Sequence, residues 1–208
     1  MRNILVLSLA LFMLIILTPA EAQMYKGTET APYTVERTLE GAELRRYGPR
    51  LVAEVTVSGS RSGAANAGFR ILAGYIFGGN AESSKIAMTT PVAQVPEASA
   101  ESAAAKTGAD GAQSWMVRFT LPAGRSLADL PPPDDPRIRL METVPERMLV
   151  LQFSGRATDA ALARATASLR AIADRAGMKG RGEPEFLFYD SPFTLPWNRR
   201  NEVALVLD

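Results

Sequence analysis

Residues 85–92 read KIAMTTPV, and the rest of the chain is organised around this stretch. It follows a helix candidate that ends at two glycines, residues 78–79. Because proline cannot donate a ladder hydrogen bond, Pro91 argues against a central strand and predicts an edge or a bend. Residues 189–193, which read YDSPF, form a similar turn about one half-chain later. This spacing is the first indication that the chain consists of two related halves.

Proline and glycine positions support such a repeat. Pro49 and Pro145 are 96 residues apart (145 − 49), and so are Gly59 and Gly155 (155 − 59). In both halves the predicted order is strand, proline turn, strand, glycine, helix, proline turn and strand. We therefore predict an α+β fold from two βαββ-like repeats, with one antiparallel sheet or barrel and two α-helices outside it.

Two segments have the periodicity of amphipathic helices. The first is predicted over residues 62–77, and the second over about residues 159–176 with Thr158 as N-cap and Gly177 as the stop. The first helix places one set of side chains on a single face: Ala65, Phe69, Leu72 and Ile76. The second has a matching stripe: Leu162, Ala165, Leu169 and Ile172.

The remaining segments divide into strands and connections. Strands are predicted over residues 33–37, 43–47, 51–57, 114–121, 138–143, 148–153, 185–189 and 203–207. Residues 24–32 are predicted to be an exposed lead-in. Residues 97–113 are rich in Ala, Ser and Gly and are predicted to form a mobile surface loop, since they bury little apolar surface. We expect residues 23–208 to form a single domain.

Composition excludes much chemistry. The chain contains no His and no Cys, so catalytic triads, His bases, disulfides and the usual zinc sites are all impossible. Lys and Arg number 23 against 22 Asp and Glu, which gives no indication of nucleic-acid binding. No set of carboxylates forms a recognisable catalytic constellation. We therefore expect a binding protein that is not an enzyme, with no metal site of its own, and a monomer.

The N-terminus has the pattern of a secretory signal peptide. Arg2 precedes an apolar run over residues 4–17, and residues 20–22 read AEA, an Ala-x-Ala cleavage site. We predict cleavage after Ala22 and a periplasmic or secreted protein, with an uncleaved N-terminal membrane anchor as the alternative. No later segment is predicted to span the membrane.

The motifs of the chain resemble those of the SOUL haem-binding protein family. The resemblance is carried, in order along most of the chain, by YTVER (33–37), ELRRYGP (43–49), GFRILAGYIFGGN (68–80), KIAMTTPV (85–92), LPPPDDP (130–136), FSG (153–155), YDSP (189–192) and NRRNEV (198–203). The resemblance implies a distorted antiparallel β-barrel flanked by two helices, built from a duplicated half. It also implies that haem or another tetrapyrrole binds in a shallow apolar groove beside the first helix.

The resemblance places ten residues at this groove. They are Phe69, Arg70, Leu72, Ala73, Ile76, Met88, Phe193, Trp197, Arg199 and Arg200. Leu72 and Ile76 also fit the core, and Arg199 and Arg200 also fit a clamp that holds their loop. Phe193 and Trp197 fit either a roof over the ligand or a cover for the open end of the barrel.

Two departures from the family pattern affect the ligand. Some relatives carry a His after the Arg-x-Tyr strand as a proposed iron ligand, and Gly48 stands at that position here. Haem is therefore expected as a ligand without an axial His. Some relatives also place basic residues on the groove side of the helix, where this chain offers Arg70 as the nearest cation.

Three functions remain open on the sequence. The first is a non-enzymatic haem or tetrapyrrole binder that acts as carrier, buffer or scavenger outside the cytoplasm. The second is a binding module for another hydrophobic or amphiphilic small molecule, with haem incidental. The third, a tetrapyrrole-modifying enzyme, has the least support because no catalytic constellation is recognisable.

Overall fold

The computed structural model describes residues 23–97 and 113–208. It contains two helices, α1 (Arg61–Ile76) and α2 (Asp159–Arg175). The strands are β1 (Gln23–Tyr25), β2 (Thr28–Thr30), β3 (Tyr33–Leu39), β4 (Ala42–Tyr47), β5 (Leu51–Ser58), β6 (Thr89–Thr90), β7 (Val92–Pro96), β8 (Ser114–Thr120), β9 (Arg139–Glu142), β10 (Glu146–Phe153), β11 (Glu185–Phe188) and β12 (Asn201–Val206). Both predicted helices are confirmed to within about one residue.

Nine strands form one antiparallel sheet, curled into a half-barrel, in the order β3-β4-β10-β12-β11-β7-β8-β5-β9. The order is symmetric about the β11–β7 pair. Reading outward, β7-β8-β5-β9 on one side mirrors β11-β12-β10-β4 on the other. The units β5-α1-β7-β8 and β10-α2-β11-β12 therefore occupy equivalent positions, which confirms the predicted fold class and its two βαββ-like repeats.

The strand that precedes each unit pairs with the opposite unit. From the first half, β4 pairs with β10, with Leu44 opposite Leu149. From the second half, β9 pairs with β5, with Leu140 opposite Ala53. The two halves thus exchange their first strands.

Both helices pack on the same face of the sheet. On β8, Trp115 lies in the cluster around α2, and Val117, two residues later, lies in the cluster around α1. Side chains two apart on a strand share a face, so both helices cover this one. Gly68 allows α1 to approach closely, because a Cβ at this position would lie 2.5 Å from the Val117 side chain.

The opposite face of the sheet carries buried charged groups. Glu202 accepts hydrogen bonds from Arg45 at 2.9 and 3.0 Å, from Arg200 at 2.6 Å and from the Tyr189 hydroxyl at 3.0 Å. Burial acts against the charge of Arg45, but the pairing with Glu202 outweighs it and holds the pKa of Arg45 above its ordinary value. Burial raises the pKa of Tyr47 to about 12. Glu202 is therefore satisfied by the protein's own cations.

Two local predictions were wrong. Residues 24–32 are not an exposed lead-in, because β1 and β2 form a hairpin, β2 pairs with β6 in a small three-stranded sheet, and Thr30 and Ala31 are buried. The segment after Pro91 is not at an edge, because β7 pairs with both β8 and β11. Pro91 stands just before β7 and takes no ladder position, so the strand remains compatible with the centre of the sheet.

Two further predictions fall outside the described residues. These are the signal peptide over residues 1–22 and most of the predicted loop, residues 98–112.

Candidate functional site

An apolar row crosses three neighbouring strands on the helix-covered face of the sheet. Phe119 of β8 lies opposite Val92 of β7, and Val92 lies opposite Phe188 of β11. Adjacent strands are about 4.8 Å apart, so the row spans roughly 10 Å. Val92 and Phe188 are only partly buried. This row forms the floor of the candidate site.

The outer face of α1 borders one end of this floor. Phe69 is 38% exposed, and its ring packs edge-on against Phe119 with centroids 5.4 Å apart. Ala73 and Phe77 follow at steps of four residues, which places them along the same side of the helix. Ala73 is half-buried and Phe77 is exposed. Arg70, next to Phe69, is exposed and supplies a cation at this border.

Residues 85–90 run beside α1 and bring Met88 to the same region. The Ile86 amide donates to the Ile76 carbonyl at 2.9 Å, and the Thr89 hydroxyl donates to the Thr120 carbonyl. Thr120 follows Phe119 directly, so this segment is tied to both the helix and the floor. Met88, between the two anchors, is 38% exposed.

The loop over residues 189–200 starts directly after Phe188, at the other end of the floor. Three of its apolar side chains face solvent: Phe193 is 94% exposed, Leu195 is 53% exposed and Trp197 is 69% exposed. The Arg199 guanidinium donates to the carbonyls of Thr194, at 2.7 Å, and Pro192. The loop is thus held by its own hydrogen bonds while it presents aromatic rings to solvent.

Asp190 and Arg200 fix the base of this loop. Asp190 accepts from the Arg200 amide at 2.7 Å, from Lys26 at 2.7 Å and from the Tyr25 hydroxyl at 2.9 Å. Burial disfavours the charged carboxylate, but these bonds outweigh it and hold the pKa of Asp190 below its ordinary value. Arg200 turns inward, with its guanidinium 4.0 Å from the centre of the Tyr189 ring, and pairs with Glu202. Its charge is therefore used within the protein.

The structure brings together six of the ten residues named from the sequence. They are Phe69, Arg70, Ala73, Met88, Phe193 and Trp197: three on α1, one on the segment tied to Ile76 and Thr120, and two on the loop that follows Phe188. Arg199 lies in the same loop but is engaged with backbone carbonyls. Leu72 and Ile76 are buried in the core because α1 turns them toward the sheet, so we leave them out of the proposed site.

Sequence reasoning missed five side chains at this site: Phe77, Phe119, Leu195, and the floor residues Val92 and Phe188. Phe77 continues the four-residue spacing of Phe69 and Ala73, and Phe119 continues the alternation of Trp115 and Val117 on β8, so both could have been predicted. No sequence pattern distinguishes Leu195 from an ordinary loop residue.

This arrangement fits the flat face of a tetrapyrrole better than it fits its iron. The apolar floor and the aromatic side chains at its ends suit a macrocycle, and Arg70 suits a propionate. The chain has no His, and among the described residues no group of three or more acidic side chains is placed to hold a metal ion. Met88 is the one residue of the proposed site whose side chain is a known haem ligand.

The fold has counterparts among solved structures. The chain is similar to the C-terminal domain of EcmrR, with 9% identity, a TM-score of 0.58, and coverage of 85% of this chain and 98% of that one. It is also similar to a hydrolase from Listeria innocua, with 11% identity, a TM-score of 0.54, and coverage of 83% and 94%. At such low identity these similarities show the fold alone. No curated protein matches the chain.

The fold and the candidate site define a small α+β protein with a duplicated, curled sheet and a partly exposed apolar row on its helix-covered face. The family model of the SOUL heme-binding protein matches residues 28–206, which is most of the chain. The chain therefore belongs to the SOUL heme-binding protein family. Among the described residues, no helix is both long enough and apolar enough to cross a membrane.

Proposed function

We propose that this protein binds haem or a related tetrapyrrole, without modifying it, in the groove between the outer face of α1 and the loop over residues 189–200. Membership of the SOUL family supports the class of ligand. The observation that carries the location is the apolar row of Phe119, Val92 and Phe188, bordered by Phe69 at one end and the aromatic loop at the other.

In this proposal the macrocycle lies against the apolar row, and its binding energy comes from buried apolar area. Phe69 and Trp197 cover its faces or edges, and Arg70 pairs with a propionate. Bound haem would supply its iron for redox or ligand chemistry. Met88 is the residue of the proposed site whose thioether could serve as an axial ligand. Such a weakly held iron suits a protein that releases its cargo, so we propose a carrier, buffer or scavenger.

We further propose that the protein works outside the cytoplasm. The predicted signal peptide over residues 1–22 supports this location, and the absence of Cys is compatible with an oxidising compartment.

The test is a titration of haemin into the protein, followed by the Soret band and by Trp fluorescence. We expect saturable one-to-one binding that Phe69→Asp weakens by about tenfold or more, because a charge at this border opposes burial of the macrocycle. Val144→Asp is the matched control. Val144 is an exposed apolar residue that comes just before β10 and is not part of the proposed groove, so this change should not alter binding. Equal binding by both variants would overturn the proposed location.

A second candidate function is binding of another hydrophobic or amphiphilic molecule, with haem incidental. The absence of His favours it, because iron then adds little to affinity. Titrations with metal-free protoporphyrin and with the Met88→Leu variant separate the contribution of the iron to the affinity from that of the ring. Equal affinity for haemin and protoporphyrin would show that the ring alone is recognised. Tighter binding of a metal-free amphiphile than of either tetrapyrrole would favour this second function.

A further inference from the structure

A second recess lies between the two helices, away from the groove described above. It has a volume of about 860 Å³ and lies between the first residues of α1, the N-terminal half of α2 and the ends of β7, β8 and β11. None of the ten residues named from the sequence lines it. We call it the interhelical cleft.

The cleft has an aromatic floor and walls of small side chains. Trp115 of β8 and Phe186 of β11 lie side by side, with ring centroids 6.3 Å apart and planes tilted by 38°. On α2, Ala163 and Ala167 line the cleft one turn apart, so no long side chain fills it. A recess of this volume over an aromatic floor is typical of small-molecule sites.

The charged residues of the cleft are already paired with one another. Arg61 of α1 binds Asp159 of α2 at 2.5 Å, and Arg170 lies 3.8 Å from Glu183. Two cations and two anions leave the lining neutral. A charged ligand would lose its hydration without gaining a partner, so the lining favours an uncharged one.

Two polar groups in the cleft lining lack partners. The indole Nε1 of Trp115 and the hydroxyl of Thr166 are buried, and neither has a hydrogen-bond partner in the described part of the chain. Buried polar groups are nearly always hydrogen-bonded, so each exception invites an explanation. An acceptor atom on a ligand would satisfy the indole, which can only donate.

We propose that the interhelical cleft binds a flat, uncharged, apolar molecule that carries a hydrogen-bond acceptor such as a carbonyl. The aromatic floor receives its rings, and the Trp115 indole receives its acceptor. Because a tetrapyrrole carries charged carboxylates, this ligand belongs to a different class from the one proposed for the groove at α1. The proposal therefore does not depend on haem binding.

A neutral fluorescent ketone, 6-propionyl-2-dimethylaminonaphthalene, is a suitable probe for titration of the full-length protein. We expect saturable one-to-one binding with a blue shift of its emission. Ala163→Phe fills the cleft and should weaken binding about tenfold or more. Ser168→Phe places the same ring on an exposed position of α2 outside the lining and should leave binding unchanged.

Trp115→Phe tests the hydrogen bond. Loss of the N–H should weaken binding of the ketone about five- to tenfold more than binding of carbonyl-free 2-dimethylaminonaphthalene, which loses only part of its contact with the floor. Equal loss for the two probes would overturn the role of the indole. Circular dichroism checks that Trp115→Phe keeps its fold. Thr166→Val is a second variant, which removes the hydroxyl of a less buried residue in the cleft lining.

The two sites are separable by crossing the variants. Phe69→Asp should leave the ketone affinity unchanged, and Ala163→Phe should leave the haemin affinity unchanged. Absence of saturable probe binding, or equal binding by Ala163→Phe and Ser168→Phe, would overturn the cleft proposal. Neither outcome would affect haemin binding at α1.

Discussion

The two helices occupy equivalent positions in the two halves of the sheet, yet only one has an apolar outer face. Of the five buried positions on each helix, four correspond in pairs that are 97 residues apart, as in 165 − 68 and 169 − 72. The pairs are Gly68 with Ala165, Leu72 with Leu169, Tyr75 with Ile172, and Ile76 with Ala173. The face that contacts the sheet has therefore kept one pattern in both halves.

The outer faces differ at the same spacing. Phe69, Ala73 and Phe77 at the outer side of α1 correspond to Thr166, Arg170 and Asp174 of α2. On α2 these positions carry polar or charged groups: Arg170 and Asp174 are exposed, and Thr166 lines the interhelical cleft. Packing constrains the inner faces of both helices in the same way, whereas α1 keeps aromatic residues at its outer positions: Phe69 packs against Phe119 with part of its ring exposed, and Phe77 is largely exposed. We attribute them to binding.

The largest effect is expected where the two helices are alike. Leu72 and Leu169 are each fully buried, so Leu72→Ala and Leu169→Ala should each lower the free energy of unfolding by about 2–5 kcal/mol. Urea denaturation followed by circular dichroism measures both. A large loss for one variant and none for the other would break the equivalence of the inner faces.

The second largest effect concerns how closely α1 approaches the sheet. Gly68→Ala should destabilise by about 1–3 kcal/mol, because its Cβ would meet Val117 at 2.5 Å. Gly74→Ala lies on the same helix with open space around it, and should stabilise by about 0.5–1 kcal/mol. The same denaturation assay applies. If both variants were stabilising, α1 would have freedom to move away from β8 and the close approach would not constrain it.

Giving α1 the outer residues of α2 tests the functional difference. The double variant Phe69→Thr, Phe77→Asp should lose about tenfold or more in haemin affinity, since it removes exposed aromatic surface from the groove. Its free energy of unfolding should fall by about 0.5–1.5 kcal/mol, because Phe69→Thr removes the aromatic contact with Phe119 whereas Phe77 is largely exposed. Unchanged haemin affinity would contradict the assignment of the outer face to binding.

The smallest effect concerns the contact between the helices. Asp159 pairs with Arg61 but its side chain is 82% exposed, so Asp159→Asn should cost less than about 1 kcal/mol. Arg61 also donates to the Ala157 carbonyl at 2.9 Å, which keeps the two segments linked. The cost should shrink further in about 1 M salt, where charges are screened. A cost that is large and independent of salt would mean that this pair locks the helices together.

Periodicity and turn residues were enough to predict the repeat, both helices and the N-cap at Thr158, whose hydroxyl accepts from the Ala161 amide at 3.2 Å. These features depend on local sequence, so individual turn and capping residues are enough to predict them. The place of β7 in the middle of the sheet was beyond reach, since it depends on pairing with β11, more than 90 residues later. The hairpin of β1 and β2 is local and was missed because its two-residue turn at Lys26-Gly27 was overlooked, whereas the pairing of β2 with β6 depends on distant residues.

At the site, helical spacing placed Phe69 on one face with Leu72 and Ile76, whereas in the structure Phe69 is partly exposed and the other two are buried. The burial of Leu72 and Ile76 followed from the same spacing, and only their second interpretation, as core, agrees with their position. The interhelical cleft was not predictable, because its lining comes from five separate elements with no shared motif. Sequence reveals a face of one helix far more readily than a space between two.

The exchange of first strands affects how the protein is made. As the chain leaves the ribosome, β4 emerges early, but its partner residues in β10 follow about one hundred positions later, as with Ala42 and Leu151 (151 − 42 = 109). Until then β4 has an unpaired edge, and β5 lacks β9 in the same way. Pairing between distant segments is slow, and open edges promote aggregation while they persist. A chain interrupted at its midpoint therefore cannot form a complete half of the sheet, because each half of the chain carries a strand that pairs with the other half.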